Sequence, residues 1–312
     1  MLKDFLSLDD LKKEEIFGLF DLAAKLKRRP INALLKNQFF CLYFEKPSTR
    51  TRMSFDIGIK QLGGDVFYID AVTSQVSRGE SIEDTVRTFD RYANAGIIAR
   101  VNSHDTLTLM AKISNLHVIN ALSNLEHPCQ AAADLFTIKE KFGDFNKLKL
   151  AFIGDGNNVC NSLLIGCSKV GMNISIGCPK DYQPNAKILE MAMNYTKITK
   201  AKIEVTDDPR KAVADANVVY TDTFISMGEE KEEGKRLAEL LPKYQVNSKL
   251  IDSAAKDALI MHCLPAHRGQ EITADILDGY RSIVFDQAEN KLHVQKALLL
   301  KMLNLEKWMN LK

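Results

Sequence analysis

One short segment of this 312-residue sequence has the side chains of a phosphate site. Ser48–Arg52 contains three hydroxyls and two guanidiniums in five consecutive residues, shortly after the apolar run Phe39–Phe44. The run predicts a buried strand and Met53–Leu62 predicts a helix, so the segment should lie where a strand passes into a helix. Helix N-termini attract anions, and arginine donors suit phosphate oxygens. A simple Ser/Thr helix cap is the alternative, but a cap needs no arginines.

Arg100 and His127 follow two other apolar segments. A guanidinium has no structural role at the end of a buried strand, but it could meet an anion or a polarised carbonyl there. Pro128 predicts a helix start, which puts His127 at the cap and Gln130 on the same helix face. An arginine that reaches solvent and a structural histidine are the alternatives.

The segment Gly154–Val159 invites a dinucleotide-binding interpretation, which fails on two counts. Val159 stands where the third glycine of the motif belongs, and the next predicted strand ends without the acidic residue that would bind ribose. The adjacent Asn157 and Asn158 suit the carboxylate of an amino acid better than a pyrophosphate. A nicotinamide-dependent dehydrogenase is therefore disfavoured.

Two later segments place polar groups at predicted strand ends. Asp222 is followed by Ser226-Met227-Gly228, and its carboxylate could hold an ammonium group or simply cap the next helix. His262-Cys263-Leu264-Pro265 ends another apolar segment. Buried cysteines are usually inert, and Cys263 has no partner acid in the sequence nearby that would make it a nucleophile.

Apolar segments alternate with amphipathic ones from residue 39 onward, which is typical of parallel sheets covered by helices. The predicted fold class is α/β, with two doubly wound parallel-sheet domains and an interdomain active-site crevice, since ligands of such sheets bind beyond the carboxyl ends of the strands. Strands are expected at Phe39–Phe44, Val66–Asp70, Gly96–Val101, Val118–Leu122, Leu148–Gly154, Asn173–Cys178, Lys202–Thr206, Asn217–Thr223, Leu259–Leu264 and Ser282–Phe285. Helices are expected near 9–28 with Ser7 as the cap, 52–62, 81–93, 105–114, from Pro128, and about 289–305.

Length and composition indicate an ordinary soluble protein of two domains. We expect domains at 1–140 and 141–288, with a helix at about 289–312 packing back on the first. A net charge of +2 gives no reason to expect nucleic acid or a membrane as a partner, and the N-terminus does not resemble a signal peptide. The six cysteines lack zinc-type spacing, so we expect free thiols in the cytoplasm and no metal.

Together these segments resemble the carbamoyltransferases over the whole chain, and most closely the ornithine carbamoyltransferases. Ser48–Arg52 resembles the family's carbamoyl-phosphate loop, His127–Gln130 its second carbamoyl-phosphate motif, and Arg100 the arginine between the two. Ala288–Lys291 resembles a motif that usually ends in arginine. Lysine keeps the charge there but loses the planar fork.

The second half of the chain carries the resemblance to the ornithine enzymes in particular. Asp222 with Ser226-Met227-Gly228, and His262–Pro265, resemble their amino-acid-binding motifs, and Asn157-Asn158 their carboxylate-binding asparagines. The resemblance implies that carbamoyl phosphate and L-ornithine react to give L-citrulline and phosphate, without a cofactor. It also implies a homotrimer with sites shared between subunits. We expect a role in arginine biosynthesis, with arginine breakdown as the alternative, because both directions use the same site.

The resemblance implies a role for each residue of these motifs. The residues implied to bind carbamoyl phosphate are Ser48, Thr49, Arg50, Thr51, Arg100, His127, Gln130, Lys291 and, from a neighbouring subunit, Gln75. The residues implied to bind ornithine are Asn158, Asp222, Ser226, Met227, Cys263 and Leu264. The residues implied to take part in catalysis are Arg100, His127, Cys263 and Lys291.

Two alternatives stay open beside this interpretation. Carbamoyl transfer to another amine, such as putrescine, would leave Asp222 and Asn158 without partners, because putrescine has no carboxylate and no α-amine. A non-catalytic phosphate-binding or amino-acid-binding protein would need a lost catalytic group, and only Lys291 points to one.

Overall fold

The structure is a computed structural model that describes residues 2–225 and 230–307. The expected site residues Ser226 and Met227 lie outside these described residues. Contacts divide the chain into two units, Met1–Phe136 with Glu289–Lys312, and Thr137–Ala288.

The first unit contains a parallel four-stranded sheet. Its strands are β1 (Phe39–Phe44), β2 (Asp65–Asp70), β3 (Gly96–Arg100) and β4 (His117–Leu122). Its helices are α1 (Lys13–Arg28), α2 (Thr49–Gln61), α3 (Ile82–Tyr92) and α4 (His104–Ile113), and the chain leaves the unit within α5 (Pro128–Phe142). The strand order is β2-β1-β3-β4, with β1 and β3 central and almost wholly buried, as their uninterrupted apolar sequences require.

The second unit contains a parallel five-stranded sheet of order β7-β6-β5-β8-β9. Its strands are β5 (Lys149–Ile153), β6 (Asn173–Gly177), β7 (Ile203–Thr206), β8 (Val218–Thr221) and β9 (Leu259–His262). Its helices are α6 (Asn158–Val170), α7 (Ala186–Thr199), α8 (Pro209–Val213), α9 (Glu233–Tyr244), α10 (Ser248–Ile251) and α11 (Ala274–Leu277). The long helix α12 (Val284–Met302) follows, and its residues from Glu289 onward belong to the first unit. The predicted α/β class with two parallel-sheet domains is confirmed.

Each sheet has one position where the strand order reverses, between β1 and β3 in the first unit and between β5 and β8 in the second. The connections leave the two neighbouring strands in opposite directions there, which opens a crevice at their carboxyl ends. Of the polar segments singled out in the sequence, Ser48–Arg52, Arg100, Gly154–Val159 and Asp222 lie at these four strand ends, whereas His127 and Cys263 follow the neighbouring strands β4 and β9.

The structure differs from the sequence prediction at both ends of the chain. The predicted strand Ser282–Phe285 is wrong: Ser282 forms only an isolated bridge with Ile260, and α12 begins at Val284. A short apolar run does not distinguish strand from helix by periodicity. At the N-terminus, Ser7 caps a separate 3₁₀ turn, Leu8–Asp10, and α1 begins only at Lys13. Among the described residues, none of the helices combines the length and the apolar composition that a membrane span requires.

Candidate active site

The N-terminus of α2 is a ready anion site. Ser48 is the N-cap, and its hydroxyl accepts a hydrogen bond from the backbone N–H of Thr51 at 3.3 Å. The first turn contains no acidic residue, so nothing there offsets the positive end of the helix dipole. Thr49 and Arg50 are exposed at this turn. The cap and the two exposed residues therefore leave a charged, accessible surface that suits a phosphate group.

Thr51 connects this turn to the C-terminal helix. Its side chain is 1% exposed, and its Oγ1 accepts a hydrogen bond from Nζ of Lys291 at 3.2 Å. The Lys291 ammonium is itself buried, in α12. Lys291 therefore lies beside the anion site of α2, although 240 residues separate it from Thr51 in the sequence.

Arg100 reaches the same region from the end of β3. The register of β3 against β4 shifts between Ala99 and Arg100, and such an irregularity re-aims the side chain that follows it. The Arg100 side chain is 6% exposed, and its backbone carbonyl accepts a hydrogen bond from the N–H of Glu45 at 2.8 Å. That backbone bond holds the loop after β1 against the end of β3.

His127 is buried just before α5, in the position that Pro128 predicts. Burial, together with the positive charges of Lys291 and Arg100, lowers the pKa of His127 well below its ordinary value. The imidazole is therefore neutral at physiological pH and adds no third charge to the cluster. Gln130, also buried, donates a hydrogen bond from Nε2 to Asp134 at 2.8 Å, which fixes the orientation of its amide.

Arg52 and Gln75 are placed differently from the cluster around Thr51. The Arg52 guanidinium lies 3.7 Å from the centroid of the Tyr68 ring, a cation–π contact that anchors α2 to β2. Gln75 is exposed at the start of a 3₁₀ turn, Gln75–Arg78, after β2.

In the second unit, the loop after β5 is shaped by a glycine. A Cβ on Gly156 would overlap the backbone of Gln183 and Pro184, so only glycine allows this approach. Asn157 then caps α6, its Oδ1 accepting from the N–H groups of Val159 at 3.0 Å and Cys160 at 3.1 Å. Its remaining amide N–H is thereby aimed out of the helix.

That amide meets Asp222 at the end of β8. Asn157 Nδ2 donates to Asp222 Oδ2 at 2.8 Å, while Asp222 Oδ1 accepts a hydrogen bond from the backbone N–H of Thr223 at 2.8 Å. The pairing of Ile153 with Thr221 in the sheet brings the two loops side by side. Asp222 is therefore a largely buried carboxylate in a fixed orientation, with a negative charge suited to an ammonium group.

Cys263, the residue directly after β9, contacts the same carboxylate. Its Sγ donates to Asp222 Oδ1 at 2.9 Å. Leu264, with a positive φ of 59°, precedes a cis peptide bond to Pro265. The backbone N–H of Leu264 donates to His262 Nδ1 at 2.9 Å, so Nε2 carries the proton that His262 shares with Glu271 at 3.0 Å. The partner acid of Cys263, not evident in the sequence, is Asp222.

Ligand atoms of Asp222, His262 and Cys263 lie within 4.8 Å of one another, as in some metal sites. Metal binding needs an imidazole nitrogen with an available lone pair. In His262 the lone pair of Nδ1 accepts from Leu264, and Nε2 donates to Glu271. This group therefore offers a metal ion only the carboxylate and the thiol, and it does not suit a structural or catalytic metal.

Two groups of the residues singled out in the sequence are thus brought together, one in each unit. Asn158, in contrast, is the first residue of α6, and the hydrogen bond to Asp222 comes from its neighbour Asn157. An asparagine directly before an apolar helical segment is a helix-cap signal, and that signal could have distinguished the two. The buried ion pair of Asp155 with Arg236 was missed altogether.

These features define a class of protein: a two-unit α/β protein with a positively charged anion-binding site in one unit and a fixed carboxylate in the other. Two family models match the chain. The aspartate/ornithine carbamoyltransferase carbamoyl-P binding domain matches residues 3–140, and the Asp/Orn binding domain of the same family matches residues 146–302.

Individual proteins similar to this chain belong to the same family as the two models. The chain is 48% identical over 307 residues to an ornithine carbamoyltransferase of Methanocorpusculum labreanum, covering 97% of this chain and 99% of the relative. It is 47% identical over 297 residues to that of Bacillus subtilis, covering 95% and 92%. The solved ornithine carbamoyltransferase from Pyrococcus furiosus matches with a TM-score of 0.92 at 42% identity, covering 96% of each chain. The solved anabolic enzyme from Campylobacter jejuni also gives 0.92 at 42%, covering 97% of this chain and 99% of that one. The chain belongs to the aspartate/ornithine carbamoyltransferase family.

Proposed function

We propose that the protein transfers the carbamoyl group of carbamoyl phosphate to the δ-amine of L-ornithine, giving L-citrulline and phosphate. Relatives that bear the name ornithine carbamoyltransferase match nearly the full length of the chain. The main structural support is the Asp222 carboxylate, which a hydrogen bond from Asn157 holds in a fixed orientation. A carboxylate at the end of β8 selects a second substrate that has an ammonium group.

Carbamoyl phosphate binds to the first domain, residues 1–140. Its phosphate lies at the N-terminus of α2, against the backbone and side chains of Ser48, Thr49, Arg50 and Thr51. This assignment is supported by the Ser48 cap and by the absence of acidic residues in the first turn of α2. Gln130 completes the site from α5.

The carbamoyl oxygen faces the buried cluster around Thr51. Attack on the carbamoyl carbon makes a tetrahedral oxyanion, and fixed donors aimed at that oxygen are the main expected source of catalysis. Thr51, Arg100, His127 and Lys291 are those donors. The depressed pKa of His127 supports a neutral imidazole that donates a hydrogen bond.

Ornithine binds to the second domain, residues 141–288. Asp222 pairs with the α-ammonium, and Asn158 with Asn157 holds the α-carboxylate. Ser226 and the backbone of Met227, which the family resemblance assigns to the same α-groups, lie outside the described residues. The δ-amine lies near Cys263 and Leu264.

The amine must lose a proton to react, because an alkyl ammonium has a pKa of about 10.4. The departing phosphate carries enough negative charge to accept that proton, so no protein base is required. The role of the enzyme is to hold the neutral amine and the carbamoyl carbon in line, and to stabilise the oxyanion.

The test is citrulline formation by the purified protein, with L-ornithine and putrescine compared as acceptors at equal concentration. We expect citrulline from ornithine and a rate with putrescine lower by roughly a hundredfold or more, since putrescine cannot satisfy Asp222. Equal rates with the two amines would contradict the assignment of ornithine.

We also propose that the enzyme is a cytoplasmic homotrimer of arginine biosynthesis, in which Gln75 reaches a neighbouring phosphate site. The support for this assembly lies around β2, the edge strand of the first sheet. Residues of β2 and Gln75 line the same cavity, which has a volume of about 1000 Å³. Phe67 on β2 is 70% exposed and Tyr92 at the end of α3 is 81% exposed. Such apolar side chains around an uncovered sheet edge suit a subunit contact.

Sedimentation velocity tests the assembly. Phe67→Asp should convert trimers to smaller species, because a charge replaces an apolar contact. Ile198→Asp, at a side chain that is 80% exposed in α7, is the matched control and should leave the trimer intact. A wild-type monomer at micromolar concentration would contradict the proposal.

A further inference from the structure

Arg236, in α9, forms a buried ion pair that none of the assigned roles explains. Its Nη2 pairs with the carboxylate of Asp155, and only 6% and 12% of the two side chains are exposed. Its Nε donates to the backbone carbonyl of Phe224 at 2.8 Å. Buried ion pairs contribute little net stability, because desolvation offsets the attraction. The role of this pair must therefore come from the segments of the chain that it joins, and not from its contribution to the free energy of unfolding.

The guanidinium joins two loops of the amino-acid site. Asp155 lies two residues before Asn157, and Phe224 lies two residues after Asp222. Asn157 and Asp222 are the two side chains that hydrogen-bond each other at 2.8 Å. Arg236 thus fixes both loops at a short distance from the point where they meet.

A third loop is held in the same place. The Arg236 guanidinium carbon lies 4.8 Å from the centroid of the Tyr182 ring, in the loop after β6. The backbone carbonyl of Tyr182 accepts a hydrogen bond from the N–H of Gly156 at 2.8 Å. One planar side chain therefore contacts the loops after three neighbouring strands: β5, β6 and β8.

This geometry depends on the planar fork of arginine. Nε and Nη2 point to acceptors in different loops, and a lysine ammonium at the same position is a single point that reaches only one of them. The ion pair of Arg268 with Asp278 lies in the same unit but at the surface. It is also two-pronged, at 2.9 and 2.7 Å, but both side chains are half exposed.

We propose that Arg236 is a positioning residue for ornithine: through Asp155 and the Phe224 carbonyl it sets the separation of Asn157 and Asp222, and so the affinity for the α-groups of the amino acid. The inference rests on the proposed function, because it concerns the ornithine half of that reaction. Arg236 touches no substrate. Its effect reaches ornithine through the two loops.

The test compares Arg236→Lys with the matched control Arg268→Lys in steady-state citrulline assays, varying each substrate in turn. We expect Arg236→Lys to raise the KM for ornithine by about fivefold or more, while the KM for carbamoyl phosphate stays within about twofold. Arg268→Lys should change neither constant, since exposed ion pairs contribute little. A purely structural role would lower the melting temperature and the active fraction without separating the two KM values.

A second variant covers the case in which Arg236→Lys fails to fold. Asp155→Asn/Arg236→Gln removes both buried charges and leaves none unpaired, and it should show the same selective rise in the KM for ornithine. Unchanged or parallel KM values in a folded variant would overturn this inference alone. A wild-type protein that makes no citrulline would overturn the proposed function, and this inference with it.

Discussion

The two units are both parallel sheets covered by helices, but the candidate site of the first is positively charged and that of the second is negatively charged. In the first, a helix N-terminus and the cations Arg100 and Lys291 surround a buried hydroxyl, with a histidine kept neutral among them. In the second, the strand ends present Asp222, a carboxylate held by three donors. Both groups lie where the strand order reverses. The fold thus supplies a place for a ligand, and the loop sequences alone decide whether that ligand is an anion or an ammonium.

The two sites also differ in what supports them. The anion site depends on contacts between distant parts of the chain, such as Lys291 with Thr51. The carboxylate site is held by loops of adjacent strands and by the Asp155–Arg236 pair. Substitutions in each unit should therefore affect one substrate far more than the other.

The largest effect is expected for Asp222→Asn. The amide cannot pair with the α-ammonium, and one of its two ends becomes a donor facing donors, so the KM for ornithine should rise by roughly a hundredfold. The KM for carbamoyl phosphate should stay nearly unchanged. Steady-state assays with each substrate varied measure both values, and Asp278→Asn is the control. Equal losses for both substrates would mean that Asp222 organises the fold and does not bind the amino acid.

Arg50→Ala tests the anion site of the first unit. Removal of a guanidinium from the phosphate site should lower kcat/KM for carbamoyl phosphate by about tenfold or more, because a hydrogen bond to a charged group contributes about 1.5–3 kcal/mol. Arg87→Ala, an exposed arginine of α3 that pairs with Asp84, is the control. Near-normal kinetics in Arg50→Ala would remove this residue from the site.

Lys291 tests whether the cationic cluster works as a unit. Lys291→Met should lower kcat/KM for carbamoyl phosphate by about tenfold, while Lys291→Arg, which keeps the charge, should lose much less. The lost positive charge should also raise the pKa of His127, because a nearby cation disfavours the imidazolium. NMR titration of His127 in the wild type and in Lys291→Met would detect that rise. An unchanged pKa would show that the charge of Lys291 does not act on His127.

A smaller effect concerns stability in the first unit. Lys296 is fully buried, donating to Gln61 Oε1 at 2.8 Å and to the Pro30 carbonyl at 3.1 Å, and burial lowers its pKa from 10.5 to about 8. Between these two values the unfolded chain binds more protons than the folded one. The Lys296 contribution to stability therefore rises with pH through this window, and its penalty is fully present below pH 8.

Lys296→Met removes that dependence. The free energy of unfolding of the variant minus that of the wild type should fall by roughly 1–3 kcal/mol as the pH rises through the window. Urea titrations at several pH values measure it, with Lys301→Met, at a lysine paired with Glu15 at 3.1 Å, as the control. A constant difference would show that the Lys296 ammonium keeps an ordinary pKa.

The sequence predicted the parts of this comparison that depend on local pattern. The strand-to-helix junction at Ser48, the proline start of α5 and the arginine at the end of β3 follow from apolar periodicity and residue type. The contact of Lys291 with Thr51 and the pair of Asp155 with Arg236 join residues far apart in the chain, so no local pattern could reveal them.

Two further details depended on geometry. Asn157 has the sequence signal of a helix cap, but its hydrogen bond to Asp222 depends on the pairing of β5 with β8, which brings the two loops together. The segment Ser282–Phe285 contains only three consecutive apolar residues, a run that fits either a strand or a helix, and in the structure α12 begins within it at Val284.

The most direct test of the division into two sites is calorimetric titration of carbamoyl phosphate alone, at low temperature, into the wild type, Arg50→Ala and Asp222→Asn. Without an amine no transfer occurs, so the heat reports only the anion site. We predict that Arg50→Ala weakens binding by about tenfold or more while Asp222→Asn stays within about twofold of the wild type. Equal weakening by the two substitutions would contradict the separation of the substrates between the units.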